Sequence, residues 1–323
     1  MSLSSPLHCG TSGWAFPHWD GVVYPRPRPR LFHELERLAR FFDTVEIPAG
    51  SPPKPEITRL WIHRVSSNPN FLFTARLPRR FTYDRNLDAA EVEAFKEGLR
   101  PLAQVGKLGC LVMQFPWSFR FTRENRDFFI QLRRTFHEFP LVAEMRHSSW
   151  MLDEALGTFV DYHVGFANID QPQFMKAMPP TAFLTSPIGY VRLEGRNHPE
   201  RFREFDEVDD PARPQDYYYT QAELQDWTAR IERIRTYAKR TFVVLCNDGD
   251  GKAVVNGLQL QHLLDRQRPL APRPLLAAYR EELRGFLAEG PKQESLFTMP
   301  AAPHTARPTA PSILQPRSRR AVA

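Results

Sequence analysis

Two glutamates, three arginines and a histidine fall at or just after the ends of short apolar runs in this 323-residue chain. Glu46, Arg76, Gln114, Glu144, Arg146, Asn168, Tyr190, Arg192 and Asn247 share this placement, and His147 follows Arg146. Charges within apolar strands are costly unless paired or used. Carboxylates so placed act as general acid and base, or hold a divalent metal with the help of amide oxygens. Arginines pair bidentately with phosphate or carboxylate. The candidate catalytic residues are therefore Glu144, Arg146, His147 and Glu46, with Glu144 as acid/base or as ligand of a weakly bound divalent metal, and Glu46 as its partner. Arg192 and Arg76 are candidates for holding phosphate, Gln114 and Asn247 for orienting substrate. Trp14 and Trp150, with Trp19, Trp117, Phe16 and Phe119 expected at the same rim, are candidates for stacking on a base or sugar. The competing reading is structural: an ion-pair network plugging the mouth of the fold, with the aromatics packing its loops.

Spacing excludes some chemistry. The chain has no HExxH, no paired histidines and no three-histidine pattern, so a tightly bound zinc is not expected. Asp248-Gly249-Asp250-Gly251 resembles part of a calcium loop, but its twelfth position is Gln259, and the segment reads as a tight turn.

The elements that must position these residues alternate. Strands are expected at Leu7–Thr11, Thr44–Pro48, Phe71–Arg76, Cys110–Phe115, Leu141–Arg146, His163–Asn168, Gly189–Glu194 and Phe242–Asn247. Helical spacing of apolar residues marks Leu31–Phe41, Asp88–Val105, Thr122–Phe136, Gln221–Lys239 and Asn256–Leu264, and more weakly Ile57–Val65 and Met151–Tyr162. Eight strand–helix alternations close into an α/β (β/α)8 barrel, whose site lies at the C-terminal ends of its strands. Alternation along a strand places Val142, Glu144 and Arg146 on one side. If that side faces inward, the same logic brings Glu46, Gln114, Asn168, Arg192 and Asn247 to the same end.

The barrel is expected over residues 1–265, a helical extension over 266–290 and a disordered tail over 291–323. Within the extension, Leu276, Tyr279, Leu283 and Phe286 would share one helical face over Leu275–Leu287. The net charge of +6 belongs wholly to the segment from Arg266 onward, which carries ten basic and four acidic residues; residues 1–265 balance at 33 of each. Bulk charge therefore gives the barrel no nucleic-acid signature. Neither a signal-peptide pattern nor an apolar run of membrane-spanning length occurs, and Cys9, Cys110 and Cys246 read as buried thiols. A cytoplasmic protein without membrane contact is expected. Two loops stand out: Pro25–Arg30, a stiff proline-arginine repeat suited to surface or anion contact, and Arg196–Tyr219, long enough for a lid or an insertion.

Gly10-Thr11-Ser12-Gly13-Trp14, then Trp19, Gly21 and Tyr24-Pro25, resemble the opening signature of the YecE-like proteins, domain-of-unknown-function family 72. The resemblance continues through Val45-Glu46-Ile47, Met113-Gln114-Phe115-Pro116, Glu144-Met145-Arg146-His147 with Trp150, Tyr190-Val191-Arg192-Leu193 with Gly195, and Asn247-Asp248 with Asn256. It implies a TIM-type barrel shaped like metal-dependent sugar isomerases and endonucleases. This chain departs from the family pattern at Pro48–Pro52, where an Asn-Ser-Thr-Phe-Tyr-like run is usual. It also has Arg76 in place of Lys, and Tyr83 and Glu194 in place of His.

In the tail, Gln293-Glu294-Ser295-Leu296-Phe297 resembles the peptide by which bacterial replication and repair proteins bind the sliding clamp. Gln293 would anchor it, and Leu296 and Phe297 would fill apolar pockets. The alternative is that Leu296 and Phe297 pack the tail onto the barrel. Three functions stay open: an enzyme acting on a phosphate-bearing substrate such as nucleic acid, a non-catalytic nucleic-acid- or clamp-associated module, and a sugar enzyme unrelated to DNA.

Overall fold

The computed structural model describes residues 5–50, 52–197, 215–265 and 269–287. The tail peptide 293–297 and most of the 196–219 loop lie outside these residues. Eight parallel strands, β1 (Leu7–Ser12), β2 (Thr44–Ile47), β3 (Leu72–Arg76), β4 (Leu108–Gln114), β5 (Leu141–Glu144), β6 (Gly165–Asp170), β7 (Ile188–Leu193) and β8 (Arg240–Leu245), pair in sequence order. Pairing of β8 with β1 closes the barrel.

Among the described residues the helices are α1 (Glu34–Leu38), α2 (Pro55–Arg64), α3 (Arg79–Thr82), α4 (Ala89–Gln104), α5 (Arg123–Thr135), α6 (Asp153–Asp161), α7 (Gln221–Arg235), α8 (Lys252–Asp265) and α9 (Arg273–Ala278). Their starts follow from local chemistry. Asp88 accepts hydrogen bonds from the amides of Ala90 and Glu91, Thr122 accepts from Asn125, and Thr220 forms a reciprocal capping box with Glu223. The connection from β6 to β7 contains no helix.

Below the charged mouth the barrel is filled by apolar side chains such as Val112, Val142, Phe242 and Val244, all buried. Phe242 reaches across to β4. A Cβ on Gly109 would meet its ring at 2.3 Å, so the residue inserted by the β3–β4 register shift must lack a side chain.

The expected helix at Leu275–Leu287 is shorter than the pattern suggested. It ends at Ala278, where Tyr279 leaves helical geometry and donates its hydroxyl to the Asp250 carbonyl. Leu275 and Leu283 take the buried positions, while Leu276 is exposed. In the Pro25–Arg30 loop, Arg28 pairs with Asp20 at 2.6 Å and also with Glu34, so its charge is internally satisfied. Among the described residues no helix is long and apolar enough to cross a membrane.

Candidate active site

Strand register decides which side chains meet. Gln114 pairs with Glu144, Ser12 with Glu46, and Arg192 with Ile169 on one side and Val244 on the other. Glu46, Arg76, Gln114, Glu144 and Arg192 therefore point into the barrel, and Arg146 joins them from just past β5. Asn168 and Asn247 do not. Asn168 pairs with Val191, one position from Arg192, and its amide donates to the carbonyls of Phe183 and Tyr190. Asn247 lies three past Val244, on the outward parity, and its amide donates to Tyr217 O and Asn256 Oδ1. A one-residue difference in register moves a side chain to the opposite face, so these two leave the expected cluster.

Among the described residues the cluster is a network of ion pairs. Glu144 Oε1 accepts from Gln114 Nε2 and Arg146 Nε, both at 3.0 Å, and Oε2 accepts from Arg192 Nη1 at 3.0 Å. Glu46 Oε1 faces Ser12 Oγ at 2.8 Å, Arg76 Nε at 3.0 Å and Arg192 Nη2 at 3.4 Å, while Oε2 accepts from the Tyr190 hydroxyl at 2.7 Å. Glu194, two residues beyond Arg192 on the same parity, takes Arg146 Nη2 at 3.1 Å and approaches Arg192 Nε at 3.4 Å. The same Nε donates to Cys246 Sγ at 3.0 Å. Among the described residues three guanidiniums thus face three carboxylates, and each of the six is at most 4% exposed.

Burial alone would raise the Glu144 carboxyl, but Arg192, Arg146 and the Gln114 amide outweigh it and hold it below its ordinary value. Burial disfavours the charged forms of Arg146 and Arg192. Glu194 and Glu144 more than compensate at Arg146, as do the carboxylates of Glu46 and Glu144 at Arg192, so both stay cationic. Burial pushes the Cys246 thiol up to about 12. Glu144 is consequently an anion at neutral pH and is not poised as a general acid.

The donor set also fits a metal poorly. Every oxygen of Glu46 and Glu144 faces a hydrogen-bond donor, and among the described residues no group of three His, Cys, Asp or Glu could hold an ion.

The rim residues divide. His147 is buried, and its Nδ1 accepts from the Ser149 amide at 3.1 Å, capping the turn Ser148–Met151. In the neutral ring that bond leaves the proton on Nε2, which is buried and, among the described residues, without a partner. Burial, then Arg120 and Lys176, lower its pKa, so the ring is neutral at pH 7. Trp117 is half-buried against His147, with the Arg120 guanidinium 5.6 Å from its ring centre. Trp14 is half-buried and edge-on to Trp61 at 5.1 Å. Trp150 is no stacking platform. It is fully buried, lies parallel to Phe119 at 5.4 Å and donates its indole N–H to the Phe119 carbonyl at 2.7 Å.

The description "Protein of unknown function DUF72" matches residues 8–278. The chain belongs to the DUF72 family. It is 29% identical over 289 residues to UPF0759 protein YunF of Bacillus subtilis, covering 83% of this chain and 99% of that one. A DUF72 crystal structure from Thermotoga maritima superposes with a TM-score of 0.68 at 25% identity, covering 80% of this chain and 99% of that one. A second, from Enterococcus faecalis, gives a TM-score of 0.68 at 23% identity over 83% and 98% of the two chains, a likeness of fold.

Within this DUF72 barrel, sequence reasoning missed four network members. Ser12 and Cys246 carry no charge to draw attention. Tyr190 was grouped with the strand-end residues but given no role. Glu194 stands two residues after Arg192, and that spacing on one strand was the available signal.

Proposed function

We propose that this DUF72 protein is an enzyme that acts at the C-terminal face of its barrel on a phosphate-bearing substrate, nucleic acid among the candidates. The observation that carries the reading is the buried layer of three arginines and three glutamates where barrels commonly place branched aliphatic residues. Fold stability does not require such a layer, because apolar replacement of buried ion pairs is often neutral or stabilising. Arg76, Arg146 and Arg192 form the cationic floor that would meet a phosphate. Glu144, with Glu46, would act as base once an incoming anion draws a guanidinium away and its pKa rises. His147 would contribute a neutral donor through Nε2.

A second reading, a non-catalytic nucleic-acid-binding module, draws support from the saturation of Glu46 and Glu144 by donors. Recruitment to DNA through the sliding clamp rests on the Gln293–Phe297 sequence alone.

A panel of nucleotides, sugar phosphates and short oligonucleotides tests the proposal by thermal protection and turnover. The enzyme reading expects protection and turnover, with turnover lost in Glu144→Gln while protection remains. Protection without turnover supports the binding module. Protection by unphosphorylated sugars alone overturns both.

A further inference from the structure

We propose that a small cavity between α3, with the turn that follows it, and the β4–α5 connection is an anion subsite sized for one phosphoryl group. This deepens the functional reading and rests on it for the choice of the C-terminal face. The cavity has a volume of about 180 Å3, and its lining includes Arg79, Thr82, Tyr83, Arg85, Ser118 and one acid, Asp84. Pockets for drug-sized ligands run to roughly 300–1,000 Å3, so this one suits a phosphoryl group or small fragment rather than a whole nucleotide.

Its cationic groups are held in place. The Arg79 guanidinium lies 4.3 Å from the Tyr83 ring centre. Arg85 donates from Nη2 to Asn125 Oδ1 at 2.5 Å, pairs with Glu124 at 3.0 Å and stacks over Phe119 and Phe128. The backbone at Arg85 adopts φ 54°, a left-handed conformation that a residue with a side chain takes at a cost, and such costs gather at ligand-binding positions.

Helical threonines usually give their hydroxyl to a carbonyl one turn back, as Thr58, Thr135, Thr158 and Thr228 do here at 2.8–3.0 Å. Thr82 is buried and lines the cavity, and among the described residues its hydroxyl has no partner. A buried unpaired hydroxyl costs free energy that an acceptor oxygen would recover. Tyr83, which lines the cavity, interacts electrostatically with Arg146 of the network. A phosphoryl group held there would bring the rest of its substrate toward the charged floor. Asp84, and Glu124 beyond Arg85, limit the site to modest affinity for the free anion.

The test is titration of the full chain with inorganic phosphate, by calorimetry and thermal shift, in wild type, Thr82→Val and Arg85→Gly. Wild type should bind and gain a few degrees in Tm at about ten times Kd. Thr82→Val removes only the hydroxyl. It should keep or raise the unliganded Tm yet weaken phosphate binding at least about tenfold, whereas a structural hydroxyl would lower the Tm. Arg85→Gly relieves the backbone conformation, removes the cation and should weaken binding similarly; it decides alone if Thr82→Val fails to fold. Equal affinity in all three proteins, or no binding by wild type, overturns the subsite. Organic phosphates that still protect the C-terminal face would then leave the functional reading standing. Phosphate seated in the cavity with no organic phosphate binding would do the reverse.

Discussion

Glu144→Gln should destabilise the fold sharply. The substitution keeps the size of the side chain but puts an NH2 group where an oxygen now accepts, and removes one negative charge from the buried network. Glu144 accepts from Gln114, Arg146 and Arg192, so at least one guanidinium N–H loses its partner. Removing one member of a buried pair costs about 3–5 kcal/mol. Against a total stability of roughly 5–15 kcal/mol this is a large fraction. At about 2–4 °C per kcal/mol it lowers Tm by roughly 6–20 °C. Urea denaturation followed by circular dichroism, compared with wild type at pH 7, measures it. Adding Arg146→Met restores charge balance, and the double variant should be less destabilised than the sum of the single variants. A loss below about 1 kcal/mol for Glu144→Gln would refute the reasoning, because it would place the carboxylate among solvent-screened surface pairs.

Acid should act in two stages. The depressed His147 pKa means the unfolded state binds more protons, so stability falls as pH drops below about 6.5, with a slope under ~1.4 kcal/mol per pH unit for this group. His147→Asn, which retains a capping side chain, should flatten that part of the pH–stability curve; an unchanged curve would contradict it. Glu144, depressed in the folded state, contributes stability that is full above about pH 4.3 and lost as pH falls through its folded value, giving a second decline that Glu144→Gln lacks. Trp150→Ala should cost about 3–5 kcal/mol in denaturation, as for a core aromatic, and leave ligand affinity unchanged in protein that remains folded. Thr220→Ala removes the capping box of α7 and should cost about 1 kcal/mol.

The eight strands were legible because parallel strands buried on both faces read as short apolar runs, and capping residues such as Asp88 and Thr122 marked helix starts. Glu144 and Arg146, two apart beside β5, announced a shared inward face. Asn168 and Asn247 were misplaced because polarity at a strand end does not reveal parity; only the register against Arg192 does. Trp150 resembled a rim aromatic because nothing local distinguishes an indole over the barrel from one packed beneath Phe119 and Phe121. The cavity was invisible for a similar reason, since Arg79–Arg85 and Ser118 meet only once β3 and β4 lie side by side.

Hydrogen exchange of the full chain with and without a phosphate-bearing ligand found by the thermal panel tests the central claim most directly. Protection confined to the segments after β3, β4, β5 and β7, at Arg79–Arg85, Trp117–Arg120, Arg146–Ser149 and Glu194–Arg196, is the expected result. No protection by any phosphate-bearing ligand, or protection at the opposite mouth around Lys107 and Arg240, would contradict it.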